Sequence, residues 1–187
     1  MYSPVSLTDE RRAAVAKLGR VAHLLAPNAF HHGFISDWAR AFPDARVHAA
    51  AGAAKKRPEL RVDRVLGSAP EPAFAGVVME HHIDGFRLDE TALVHAPSKT
   101  LLVADLFHNV GRPEGAWTKT YTRMMGFYDR VALSKALELT AFSDRAAARR
   151  SIDALLAAPV DRAVVGHGAP VTEGVRDAVA QAYAFLA

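Results

Sequence analysis

Phe34, Trp38 and Phe42 recur every four residues through FISDWARAF, which gives one face of a helix an apolar stripe. Pro43 closes that helix, and the apolar run ARVHAAA follows as a buried strand. Upstream, RVAHLLA (20–26) has the same unbroken apolar character. Before it, LTDERRAAVAKLG predicts a helix that Thr8 caps and Gly19 ends. From Ala53 to Pro72 the periodicity fades, and lysines, prolines and acids predict surface loops with a short helical turn. Three strand patterns then cluster: AGVVMEHHI, ETALVHA and KTLLVADLF. The tight Ala-Pro-Ser-Lys turn between the last two makes them neighbours, and strands this close in sequence pair antiparallel.

WTKTYTRMMGFYDRVALSKALELTAF is amphipathic and reads as mostly helical. SDRAAARRSIDALLAAP predicts a second helix with Ser143 as its cap. DRAVVGHGAP predicts a short buried strand that ends in a glycine-flanked histidine, and TEGVRDAVAQAYAFLA a closing helix. This order of elements predicts an α/β fold with helices on more than one sheet face.

A length of 187 residues suits one domain spanning 1–187, and a 50% hydrophobic content argues against disorder. Cysteine is absent, which excludes disulfides and thiolate metal sites and fits a reducing, cytoplasmic setting. The formal charge of +3, with a pI of 9.4, is too mild a basic bias to point to nucleic acid. No apolar run approaches the ~20 residues of a membrane span. The N-terminal MYSPVSLTDERR lacks the charged and apolar regions of a secretory leader.

Nine histidines are a rich supply, and their placement matters more than their number. Three apolar runs each end in a metal-capable side chain. His31 and His32 follow VAHLLAPNAF, Asp105 follows TLLVA, and His167 follows RAVVG. Functional side chains in α/β folds gather where strands end. Adjacent residues point to opposite faces of a strand, so two neighbouring ligands for one ion need irregular backbone or a helix's first turn. The Pro27-Asn28 break and Gly33 offer that latitude. Each group also has a plain structural role open to it: a helix-capping loop for the histidine pair, a turn for His167, loop hydrogen bonds for Asp105.

PNAFHHGFISDWARAFPDARVHAA, VHAPSKTLLVADLFHN and DRAVVGHGAPV together resemble the metallo-β-lactamase fold superfamily. The resemblance implies an αββα sandwich; the family opens with one or two strands where only MYSPVSL precedes the first helix here, so either the chain lacks a strand or its recorded start lies late. An exposed sheet edge at that point would favour pairing of copies into a homo-oligomer.

The resemblance also implies a metal site. With His32 on the last histidine of the family's His-x-His-x-Asp-His motif, His31 takes the place of its aspartate. Ala29 and Pro27 then stand where two histidines would be, and Phe86 falls near the next one. One of the family's two metal sites is therefore lost. The other maps to His31, His32, Asp105 and His167, all able to bind metal. That donor set suits one divalent ion, zinc first, with iron and manganese as alternatives.

His108, three residues past Asp105, is the available proton shuttle. The leading expectation is a mononuclear metal-dependent hydrolase acting on a small-molecule substrate. The alternative is a metal-free pseudoenzyme, without cofactor, that binds a small ligand or a protein partner. A nucleic-acid role ranks third, carried only by AAKKRPELR and RAAARR, which read as solvated faces. His81 and His82 read as strand-end surface, His95 as a hydrogen-bonded sheet residue, His23 and His48 as structural. Trp117 reads as a core anchor or else a lid residue, and the Met-Met pair with Phe127 and Tyr128 as helix packing.

Overall fold

The computed structural model describes residues 1–186, and the chain divides into two compact units, Met1–Ala69 and the stretch from Pro70 onward. In the first unit, α1 (Asp9–Leu18) starts at Thr8, whose hydroxyl accepts from the Arg11 amide at 3.2 Å, and ends at Gly19. β1 (His23–Ala26), α2 (Ile35–Ala41), β2 (Arg46–Ala49), α3 (Ala51–Lys56) and the two-residue β3 (Arg64–Val65) follow. The three strands form a parallel sheet in the order β1-β2-β3.

Trp38 anchors this unit's core with Leu24, Ile35 and Val47, and its indole N–H donates to the Val5 carbonyl at 2.7 Å. Only the Trp38 position of the predicted apolar stripe is fully buried; Phe42 is half-buried, and Phe34 is 46% exposed. The free flank expected beside β1 is occupied: Tyr2 bridges Leu25 in parallel, with the Ser3 amide on the Leu25 carbonyl at 2.9 Å. β3 arises where a loop was expected. It pairs with β2 through His48 and Ala49, a long-range partner that its two residues do not advertise.

The second unit holds β4 (Val78–His82), β5 (Thr91–His95), β6 (Thr100–Val103), α4 (Ala116–Met124), α5 (Lys135–Thr140), α6 (Arg145–Ala157), β7 (Arg162–Val165) and α7 (Val175–Ala182). Its sheet runs β4-β5-β6-β7, with the first two pairings antiparallel and the last parallel. The β5–β6 hairpin turns through Ala96–Ser98 with Lys99 left-handed at φ +49°. Ile152 and Leu155 of α6 and Val179 of α7 pack in one core with Val94, Leu101 and Val103 of the sheet.

The long amphipathic segment is two helices, because Gly126 and Asp129 take left-handed φ and break it. α6 is capped by Asp144, whose carboxylate accepts from the Ala147 amide at 2.9 Å; Ser143 instead donates to the Gly85 carbonyl at 3.2 Å. Trp117 is not a core anchor: it is 78% exposed on α4, whose one buried residue is Thr122. Among the described residues no helix is long and apolar enough to cross a membrane.

Candidate metal centre

Asp105, His108 and His167 come together in the second unit. Asp105 leaves the end of β6 and His167 the end of β7, and these strands are parallel neighbours paired as far as Val103 and Val165. Beyond the strands the two loops stay joined. The Asn109 amide donates to the His167 carbonyl at 3.0 Å, and the Ala169 amide donates to the Asn109 carbonyl at 2.9 Å. The Asn109 side-chain amide adds a bond to the Ala169 carbonyl at 2.9 Å. Gly168 has φ +111°, and a Cβ there would lie 2.0 Å from the Asn109 oxygen, so only glycine permits this approach.

Within this frame Nε2 of His167 lies 3.2 Å from Oδ1 of Asp105. That hydrogen bond, supported by the Asp105 and Glu90 charges, raises the His167 pKa against the opposing effect of burial. His108 stacks on His167 with ring centroids 5.3 Å apart, and on Phe127 at 5.0 Å. Its backbone is tied in both directions to Ala132, at 2.9 and 3.1 Å.

His31 and His32 lie in the first unit, in the turn before α2. The side chain of the fully buried Asn28 builds that turn, its oxygen accepting from the amides of Phe30 and His31, both at 2.8 Å. This local bond provides the irregular backbone that an adjacent pair requires; Gly33 is not in a left-handed conformation. Nδ1 of His31 lies 2.5 Å from the Ser3 hydroxyl. Nδ1 of His32 is buried with no hydrogen-bond partner. Burial, then the nearby Arg57 and Lys56 charges, lower the His32 pKa, which favours the neutral imidazole that metals bind.

The Asp105 carboxylate and the His167 imidazole are metal-capable donors held close together. Ligands about 2.0–2.1 Å from a tetrahedral centre lie about 3.3 Å from one another, close to the Asp105–His167 separation. Within the first unit, the buried Nδ1 of His32 is likewise a metal-capable nitrogen.

His23 and His48 lie 2.9 Å apart on β1 and β2, with Arg64 donating to His48 at 3.0 Å, and with Glu71 they form a second group whose ligand atoms are close enough to hold a metal ion. His95 bonds Ser98 across the hairpin turn at 2.7 Å. His81 and His82 are half-buried on β4 rather than at an open surface. Burial lowers the His81 pKa.

Two residues that the sequence reading passed over hold Asp105 in place. Glu90 is fully buried, and its two carboxylate oxygens accept from the amides of Ala104 and Asp105 at 2.7 and 2.9 Å. The buried Tyr183 hydroxyl donates to the Leu106 carbonyl at 2.7 Å. An acid at the mouth of an apolar strand, Glu90 before TALVH, was the available signal.

The chain has the metallo-β-lactamase fold. It is similar to a metal-soaked flavodiiron core from Synechocystis sp. PCC6803, with 14% identity and a TM-score of 0.66 over 99% of this chain and 49% of that one. A metallo-β-lactamase from Pontibacter korlensis gives 14% identity and a TM-score of 0.61, over 96% of this chain and 76% of that one. The Pseudomonas aeruginosa metallo-β-lactamase FIM-1, in its mono-zinc form, gives 13% identity and 0.59 over the same shares, 96% and 76%. The chain thus spans about half the length of the flavodiiron core, at 49%. No protein-family model matches the sequence, and no curated protein sequence is significantly similar to it.

Proposed function

We propose that this chain is a metal-dependent, hydrolase-like protein with one metal site, for which His31, His32, Asp105 and His167 supply the ligands. The observation that carries the reading is the 3.2 Å approach of Asp105 to His167 at adjoining strand ends. The fold's likeness to metal-soaked and mono-zinc structures supports it. Zinc is the first choice, with iron or manganese as alternatives. Four protein ligands leave zinc no open position, whereas a six-coordinate ion keeps two.

Bound there, a divalent ion supplies Lewis acidity toward a carbonyl or phosphoryl oxygen of a small-molecule substrate. Asp105 contributes negative charge, and the histidines contribute neutral nitrogen. His108, beside His167, is the side chain placed to carry a proton at its imidazole. The absence of cysteine supports a cytoplasmic setting.

The test is elemental analysis after metal-supplemented expression. About one equivalent per chain is expected, falling to background in His32→Ala and His167→Ala variants that remain folded. No metal in the unaltered protein would overturn the reading. A second reading, a metal-free pseudoenzyme that binds a small ligand or a partner, draws on Phe86. It stands near a family ligand position and is 4% exposed in an apolar core, where it can hold no ion.

A further inference from the structure

The loop that carries Asp105 is fixed from two sides by side chains remote in sequence. Glu90 sits 15 residues upstream of Asp105 and is completely enclosed. Each of its oxygens accepts one main-chain N–H, from Ala104 at 2.7 Å and from Asp105 at 2.9 Å. One peptide further on, the Leu106 carbonyl accepts from Tyr183, 77 residues away and 1% exposed. Burial and the Glu90 charge push the Tyr183 pKa well up, so the phenol keeps the proton it donates.

The backbone on both sides of Asp105 is therefore anchored to the α/β core, and its carboxylate is left to face His167. Bonds this well enclosed are stiff, because breaking one strands a polar group away from water.

We propose that Glu90 is a positioning residue for the metal-binding carboxylate: with Tyr183 as second anchor, it holds residues 104–106 so that Asp105 presents Oδ1 to the site it shares with His167. This inference rests on the metal-site reading above. Glu90 touches no ion; it acts through the main chain of Asp105, as outer partners of metal ligands do.

The test is Glu90→Gln. Glutamine keeps the shape, but it turns an N–H toward an amide N–H. Cobalt(II) titration followed by visible absorption, with a competing chelator, reads the affinity. Amide hydrogen exchange at Ala104 and Asp105 in the metal-free protein reads the clamp. Glu90→Gln is expected to weaken cobalt binding about tenfold or more and to lose protection at both amides, with circular dichroism unchanged. Tyr183→Phe is expected to weaken it about threefold.

Unaltered protein that binds cobalt alongside an equally tight Glu90→Gln overturns this inference alone. Unaltered protein that binds no cobalt ends the metal-site reading and this inference together. Should Glu90→Gln not fold, Tyr183→Phe decides: an unchanged cobalt affinity overturns the proposal.

Discussion

The two units hold their metal-capable side chains by different means. In the first, the backbone of the turn that carries His31 and His32 is shaped mainly by Asn28, which accepts from amides two and three residues on, while Ser3 meets the His31 ring and Lys56 donates to the Ala29 carbonyl. In the second, Asp105 and His167 are fixed by groups far away along the chain: Glu90, Tyr183 and the Asn109–Gly168 pairing. A local turn forms as soon as its few residues do, and it tolerates change elsewhere. A long-range frame is stiffer, and it fails if any distant anchor is lost. The contrast implies that ligand geometry in the second unit is the more sensitive to remote substitution.

The largest expected effect is at Gly168. Replacement by alanine forces a Cβ onto the Asn109 carbonyl and strains a positive φ, so it is expected to cost roughly 2–4 kcal/mol, read as a lower urea midpoint. An unchanged midpoint would show the frame to be slack. Asn28→Ala is expected to cost less, about 1–3 kcal/mol, because it strips the acceptor from two amides at a buried position. A loss larger than that of Gly168→Ala would reverse the comparison.

The pH dependence sharpens it further. In the metal-free protein the His167 pKa is raised, first by its hydrogen bond to Asp105. A raised folded value means that the stabilisation is fully present below the unfolded pKa, about 6.5, and is lost as pH rises through the folded one. The stability gap between the unaltered protein and Asp105→Asn should therefore be widest near pH 6 and shrink toward pH 9, by urea unfolding without metal. His32 has the opposite sign. Its lowered pKa makes its contribution one that is present above the unfolded value and lost as pH falls through the folded one. His32→Ala should accordingly flatten the acid side of the stability profile. The smallest effect separates two neighbouring cap candidates: Asp144→Ala should cost about 1 kcal/mol, and Ser143→Ala less.

The same division between local and remote decides what the sequence made legible. Thr8 and Gly19 bound α1 through bonds within one turn, so both ends could be read. The β5–β6 hairpin could be read because its turn lies between the strands it joins. The strand-end placement of Asp105 and His167 was visible as apolar runs that stop at polar side chains. β3 was not visible, since two residues carry no pattern and their pairing comes from β2. The roles of Glu90 and Tyr183 were hidden for the same reason, as each is set by a partner 15 or 77 residues away. The cap of α6 was misread by one residue, since serine and aspartate are equally good caps and only the packing against Gly85 assigns them. Trp117 was misplaced because a helical stripe states which residues share a face and leaves open whether anything covers it.

On the proposed reading the Asp105–His167 pair belongs to a metal site and is no resting ion pair. Crystals soaked in zinc, iron or manganese, with anomalous scattering recorded across each absorption edge, test it directly. One strong peak bonded to the Asp105 carboxylate and to Nε2 of His167 is expected. Soaked crystals in which those two side chains remain hydrogen-bonded to each other, with no anomalous peak beside them, would contradict it.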